Sequence, residues 1–390
     1  MTTDEMTHPH DVDQEVELDA EDEAMDAIGG FAGRLFEASL GAIEMLTIYI
    51  GLRTGAYAAL AAKGPLTVDE LADQASVNSR YAREWLEQQT VAGIVECADR
   101  TVDPDLRRFA LPTAHATVLL ESDHPACTAP LALACAGVGA VMQDLVTAYR
   151  TGGGVPYSRY GTDFRDGQAG FNRPSFVNLA ASWIAEGLPV IDARLRTGRE
   201  PRIADIGCGA GWSSISLAIA YRNVRIDGFD LDDASVADAR QNANEAGVSD
   251  RIRFEVRDAV SEPTDGERGA YDLVTIFEAL HDMAHPVDAL KACLAMLRAD
   301  GIVVVMDERV ADTFAESDGP FERFLYGASS LHCLPVGMSE SGSAGTGALM
   351  RPDTLHRYAA EAGFVRVDVL AIEHDMYRFY ALVPSVSRSG

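Results

Sequence analysis

Positive charge is scarce in this chain of 390 residues: 32 Lys and Arg stand against 60 Asp and Glu, a formal net charge of −28. Residues 4–26 hold 11 acidic side chains and no Lys or Arg, and removing those 11 from 28 still leaves −17 on the rest. Nucleic-acid binders draw most of their affinity from Lys and Arg against phosphate. A nucleic-acid partner is therefore not expected. Metal-type cysteine spacing is missing as well. The six cysteines, Cys97, Cys127, Cys135, Cys208, Cys293 and Cys333, show no C-x-x-C pair, which suits free thiols in a reducing cytosol better than a disulfide frame or a zinc site. The start of the chain lacks the basic-then-apolar pattern of a secretory leader. The longest charge-free run, Ala126 to Met142, is slightly short for a membrane span and reads as a buried helix. No long repeat is visible. These absences together predict a soluble, cytoplasmic protein with neither membrane nor nucleic acid as partner.

What is present suggests two folded domains. Residues 1–27 are acidic and poor in aromatics, the composition of a disordered tail. From Gly41, "GAIEMLTIYIGLRTGAYAAL" places apolar residues around most of a helix, which implies burial. That is more apolar surface than a small domain can cover, so a homodimer through this region is expected. Thr67 followed by Glu70 forms a capping box, "SVNS" a turn, and Ser79 a cap for a second helix reaching about Ala92. With the strand-like "GIVEC" and "RRFAL", these elements make a winged-helix unit over residues 28–120. Arg80, Arg83, Glu84 and Glu87 cancel on its second helix, which favours a dimerisation or lid module over DNA reading. Residues 121–198 read as a helical linker broken at Gly152–Gly154. The aromatics that follow, Tyr157, Tyr160, Phe164, Phe171, Phe176 and Trp183, are either helix packing or a wall of a substrate pocket.

Over residues 199–390 apolar strands alternate with helices, the pattern of a Rossmann-like, doubly wound α/β sheet, ending in an antiparallel hairpin. Its sharpest motif is "ADIGCGAGW": Asp205, then Gly207, Gly209 and Gly211 between the first strand and a helix. Glycines there admit a ligand close to the backbone, and the helix start offers unpaired N–H groups. Asp230 ends the second strand, where a carboxylate accepts from a ribose diol, and Asp258 ends the third, where one accepts from an adenine amino group. The run is G-x-G-x-G before Trp212, so the dinucleotide fingerprint G-x-G-x-x-G is incomplete. Three acids at three strand ends fit adenosine joined to an α-amino acid.

On these residues the segment 199–310 resembles a class I S-adenosylmethionine-dependent methyltransferase. The winged-helix segment resembles the N-terminal domain of small-molecule O-methyltransferases, and "REWLEQQTVAGIVE" and "MRPDTLHRYAAEAGF" are similar to an actinobacterial-type subgroup of them. The resemblance implies S-adenosylmethionine as cofactor and a small-molecule acceptor. It puts Asp205, Gly207, Cys208, Gly209 and Gly211 at the methionine moiety, Asp230 and Leu231 at the ribose, Asp258 and Ala259 at the adenine, and Phe277 near the sulfonium. It also makes His281, in "FEALHDMAHP", the candidate catalytic base, the alternative being a packing role; Met283 stands where such enzymes usually carry Trp. Phe324, Tyr326 and His332 lie in a long segment after the fifth strand that reads as a substrate-facing lid. His332 and Cys333 alone are too few ligands for a metal, and none is expected. Two rival readings are a non-methylating enzyme on the same fold and a winged-helix regulator that senses the cofactor.

Overall fold

The computed structural model describes residues 9–316 and 319–385. It divides into two compact units, residues 1–113 and 114–390. The helical segment read as a linker packs within the second unit.

The first unit begins with α1 (Pro9–Arg53). Residues 1–8 of the acidic tail lie outside the described residues; residues 9–27, expected to be disordered, are helical. Pro9 stands in the first turn, where its missing N–H costs nothing, and the Glu, Ala, Met and Leu that follow are strong helix formers. Of the apolar run from Gly41, Tyr57 and Leu60 are buried as expected, whereas Ile43 is 55% and Leu46 49% exposed; upstream, Ile28 is 62% and Phe36 64% exposed. Met25–Arg53 is also long and apolar enough, by length and composition, to cross a membrane. After α2 (Ala56–Lys63) come α3 (Val68–Ala75), α4 (Ser79–Val91) and the short antiparallel pair β1 (Glu96–Cys97) and β2 (Phe109–Ala110). The capping box forms: Glu70 N–H donates to Thr67 Oγ1 at 3.3 Å and Thr67 N–H to Glu70 Oε2 at 2.8 Å. Asn78, not Ser79, caps α4, because Asn78 keeps an extended backbone and its Oδ1 accepts from Arg80 N–H at 2.9 Å. Tyr57, Leu60, Leu71, Leu86 and Phe109 close this small core.

In the second unit α5 (Thr113–Leu120), α6 (Pro130–Ala140), α7 (Met142–Thr151), α8 (Gly161–Gly187) and α9 (Pro189–Thr197) precede the sheet. Gly152, with φ 74°, ends α7. Gly137 and Gly167 let α6 and α8 touch closely: a Cβ on Gly167 meets the Ala134 nitrogen at 2.4 Å. The sheet holds β3 (Arg202–Ile206), β4 (Arg225–Asp230), β5 (Ile252–Val256), β6 (Tyr271–Phe277), β7 (Leu297–Glu308), β8 (Arg366–Val369) and β9 (Tyr377–Val383), in the order β5-β4-β3-β6-β7-β9-β8. The first five are parallel and β9 runs antiparallel to both β7 and β8. Every residue of β6 is buried, as expected of a strand covered on both faces. Helices α10 (Trp212–Ala220), α11 (Asp233–Glu245), α12 (Pro286–Met296) and α15 (Pro352–Ala362) form the crossovers. Around the starts of β3 and β6, Arg202 pairs with Asp227 at 2.7 Å, Arg298 with Asp272 at 2.6 Å, and Asp272 also accepts the Arg202 N–H at 2.9 Å.

The segment after β7 is not one open loop. Its first part folds as α13 (Gly319–Ala328), a π turn over Ser329–Cys333 and α14 (Leu334–Gly337), with Leu325 and Cys333 buried beneath. Among the described residues, 309–313 and the Gly- and Ser-rich stretch from 338 to 351 are irregular, the latter with positive φ at Gly342, Gly345 and Gly347.

Candidate functional site

A cavity of about 480 Å³ opens at the carboxyl ends of β3, β4, β5 and β6, where a doubly wound sheet offers its loops to ligands. The β3–α10 turn forms one wall, with Gly207 at φ 70°, Gly209 at 49° and Gly211 at 80°. A Cβ on Gly207 collides with that of Ala279 at 2.5 Å, and one on Gly211 with Phe254 at 2.7 Å. At Gly209 a Cβ meets no atom within 4 Å, because that glycine faces the open cavity. This is backbone left bare where a ligand approaches.

Asp230 builds the next wall. Its Oδ2 accepts the Gly209 N–H at 2.8 Å and its Oδ1 the Asp232 N–H at 2.9 Å, which ties the first loop to the second strand end. Lone pairs remain for a diol. Burial pushes its pKa up to about 6, and the two N–H donors only partly offset that. Asp258 holds Val260 N–H at 3.1 Å and, with Leu231 and Ala259, lines the same cavity. Phe277 closes the end, its ring stacked on Phe176 of α8 at 6.0 Å.

Asp205 is not in the cavity wall. It is 1% exposed, accepts the hydroxyls of Ser213 and Ser214 at 2.6 Å on Oδ2 and that of Thr275 at 2.8 Å on Oδ1. It anchors the start of α10 from behind and has no capacity left for a ligand, which corrects its expected place at the methionine moiety. Gly211 likewise packs inward against Phe254 and Ala239 instead of facing the cavity.

The opposite end differs in character. His281 is 2% exposed and does not line the cavity. Its Nδ1 lies 2.9 Å from Asp307 Oδ1 and 3.2 Å from Glu308 Oε2, and its Nε2 3.2 Å from Asp282 Oδ1. Burial alone lowers a histidine pKa, but Asp307, Glu308 and Asp282 outweigh it and hold the ring protonated. With both nitrogens engaged, His281 is not the free base the sequence suggested. Burial raises the Glu308 carboxyl well above its usual range, whereas the imidazolium outweighs burial at Asp282 and keeps that carboxyl low. His281, Asp307 and Glu308 bring metal-type donor atoms within 4.8 Å of one another, as do His281, Asp282 and Cys333. In each set the imidazole is already ion-paired.

Of the predicted pocket aromatics, Tyr157 reaches the cavity and donates to Gln168 Oε1 at 2.9 Å. Tyr160 and Phe164 stand behind it around His332, which stacks on Phe164 at 4.2 Å. Burial lowers the His332 pKa to about 4, so its ring is neutral. Phe324 and Tyr326 do not line the cavity either; Tyr326 takes a hydrogen bond from Arg351 at 3.0 Å. Sequence reasoning missed Arg165, Gln168 and Asn172, which line the cavity from α8 together with Phe176. Their spacing of three or four residues, a stripe on one helix face, was the available signal. It also missed Glu278, directly after the β6 strand end.

Comparison with known proteins adds the following. Residues 199–332 match the family described as "Methyltransferase domain", and residues 41–121 the "Rv2258c-like winged HTH domain". A ubiquinone biosynthesis O-methyltransferase of Pseudomonas aeruginosa is 26% identical over 187 residues, 47% of this chain and 74% of that relative. One from Bordetella bronchiseptica is 27% identical over 211 residues, 54% of this chain and 78% of the relative. Among solved structures, the mitomycin 7-O-methyltransferase MmcR has a TM-score of 0.66 at 17% identity, covering 93% of this chain and all of that one. Human N-acetylserotonin methyltransferase, solved with S-adenosylmethionine, has a TM-score of 0.60 at 18% identity, covering 91% and 98%. These two share the fold.

Proposed function

We infer that this chain, an S-adenosylmethionine-dependent methyltransferase, methylates an oxygen of a small molecule held in the cavity at the carboxyl ends of β3–β6. The observation that carries this reading is the bare glycine turn with Asp230 and Asp258 beside it, inside a segment matched as a methyltransferase domain. When bound, the cofactor supplies a methyl group on a positively charged sulfur. The chain's own residues do the rest. The Gly209 backbone admits the ligand, the Asp230 carboxylate accepts ribose hydroxyls, and Asp258 accepts the adenine amino group. Phe176 and Phe277 exclude water and hold the acceptor in line, so that positioning and desolvation lower the barrier. The names of the relatives support oxygen as the acceptor atom. They do not favour a decarboxylase, rearrangement or cyclisation enzyme, or a cofactor-sensing regulator. Titration calorimetry with S-adenosylhomocysteine is expected to give one site per chain. Cofactor labelled with 13C in its methyl is expected to yield an O–CH3 signal in the product. Tight NADH binding with no response to S-adenosylhomocysteine would overturn this reading.

The exposed face of α1 supports a second copy of this chain as its cover, making a homodimer through the winged-helix unit. Arg34, Glu37 and Glu44 lie within the apolar stretch of α1; a partner surface tolerates them at its rim, whereas hydrocarbon penalises each by a few kcal/mol. The cysteines are free among the described residues, which supports a cytoplasmic setting. Light scattering at micromolar concentration is expected to report a dimer, and Phe36→Glu to weaken it. A wild-type monomer, or co-sedimentation with neutral lipid vesicles, would remove this part of the proposal.

A further inference from the structure

We propose that Glu278, and not His281, takes the proton from the acceptor hydroxyl as it is methylated, an inference that rests on the O-methylation reading above. The task requires a side chain that reaches the cavity with a lone pair to spare. His281 meets neither condition. Glu278 lines the cavity directly after Phe277, and its Oε2 is buried with no hydrogen-bond partner. The carboxyl is held by the Tyr377 hydroxyl, which in turn takes a hydrogen bond from Ser175 of α8. One face of the carboxyl is therefore fixed and the other left open.

The backbone carries an independent sign. Glu278 has φ 51°, a left-handed conformation that is strained for any residue but glycine. Its N–H is pinned to Met306 O at 2.9 Å on the neighbouring strand. Glycine would hold this turn without strain; what glutamate adds is the carboxyl, delivered at the strand end where the acceptor lies.

The surroundings tune it. Facing Glu278 are His281 and Asp282 from the turn after β6, Asp307 and Glu308 from β7, and Tyr377 from β9. Burial, with the carboxylates adding to it and His281 opposing, brings the Glu278 pKa up to about 7. A base whose pKa lies near the working pH accepts a proton most effectively while still being ionised enough to act. In the step itself the hydroxyl proton passes to Glu278 Oε2 while the acceptor oxygen forms its bond to the methyl carbon. The electron pair of the carbon–sulfur bond stays with sulfur. A cationic sulfur and an anionic carboxylate become a neutral thioether and a neutral carboxylic acid, a cancellation of charge that a water-poor cavity favours.

The test combines infrared spectroscopy of the free protein with turnover on catechol as phenol probe. The wild type is expected to show a buried carboxylic-acid band that titrates near neutral pH, absent from Glu278→Gln. His281→Asn is expected to move that midpoint upward, since the imidazolium holds it down. With catechol, Glu278→Gln lowers kcat by about 10²–10⁴-fold at unchanged S-adenosylhomocysteine affinity, Glu278→Asp restores part of it, and the wild-type rise of rate with pH flattens in Glu278→Gln. Undiminished turnover in Glu278→Gln, or no band that it removes, overturns this proposal alone. No methylated oxygen from the wild type on catechol or other phenols and alcohols overturns the O-methylation reading, and this proposal with it.

Discussion

The two ends of the cavity solve opposite problems. At the glycine-turn end, each carboxylate has its donors within the chain: Asp205 has three hydroxyls, Asp230 two backbone N–H groups, and Asp258 one. At the far end, Glu278, Asp282, Asp307 and Glu308 surround one imidazole, and each keeps a buried oxygen without a hydrogen bond. The first end is a finished receptacle, stable in itself and ready for a neutral adenosyl moiety. The second holds charge in tension, which costs stability in the free protein and leaves groups poised to exchange protons. Mutation should therefore act with opposite sign at the two ends.

The largest effect is expected at Asp205. Asp205→Ala strands the hydroxyls of Ser213, Ser214 and Thr275 in a dry interior, and chemical denaturation should register a loss of about 3 kcal/mol or more. At the other end, Glu278→Gln should stabilise. The folded pKa of about 7 stands above the ordinary 4.5, so the unfolded chain ionises first, and stability falls as pH climbs between those values. Glutamine escapes that loss. The variant should exceed wild type by on the order of 2–3 kcal/mol above the folded pKa and match it below the unfolded one; a destabilised variant at alkaline pH would erase the contrast between the two ends. Asp230→Asn should weaken S-adenosylhomocysteine by about 1–3 kcal/mol, and it should also lower folding stability, since the amide offers one acceptor oxygen to the two backbone N–H groups that Asp230 holds. Because a diol prefers the ionised carboxylate, wild-type affinity should also decline as pH drops through about 6, and a flat calorimetric profile there would contradict the assigned contact. The smallest effect belongs to Asn242, whose Nδ2 supports the Ala210 carbonyl at 3.0 Å. Asn242→Ala should reduce cofactor affinity by roughly 1 kcal/mol.

Much of this contrast was legible in the sequence at one end and little at the other. Glycine spacing, strand-end acids and alternating apolar runs are local signals, and Gly207, Gly209, Asp230 and Asp258 occupy the strand ends they imply. Asp205 shows where local reasoning stops: an acid two residues before the glycines reads the same whether it faces a ligand or the back of a helix, and only the hydroxyls of Ser213, Ser214 and Thr275 decide. His281 failed for a related reason. Its companions Asp307 and Glu308 stand 26 and 27 positions away along the chain and meet it only because β6 and β7 are neighbours. At α1 periodicity reports only that a surface wants cover, and not which molecule provides it.

The arginine–carboxylate pairs at the starts of β3 and β6 have a kinetic consequence. They neutralise charge at the end of the sheet remote from the cavity. At the cavity itself six carboxylates stand against two arginines, Arg165 and Arg257, which are already tied to Asp238 and Glu267. The cavity wall therefore carries an excess of negative charge. A ligand bearing a sulfonium and an ammonium is drawn toward that charge before it makes contact, so its association rate, more than its residence time, should drop as added salt shortens the reach of the field.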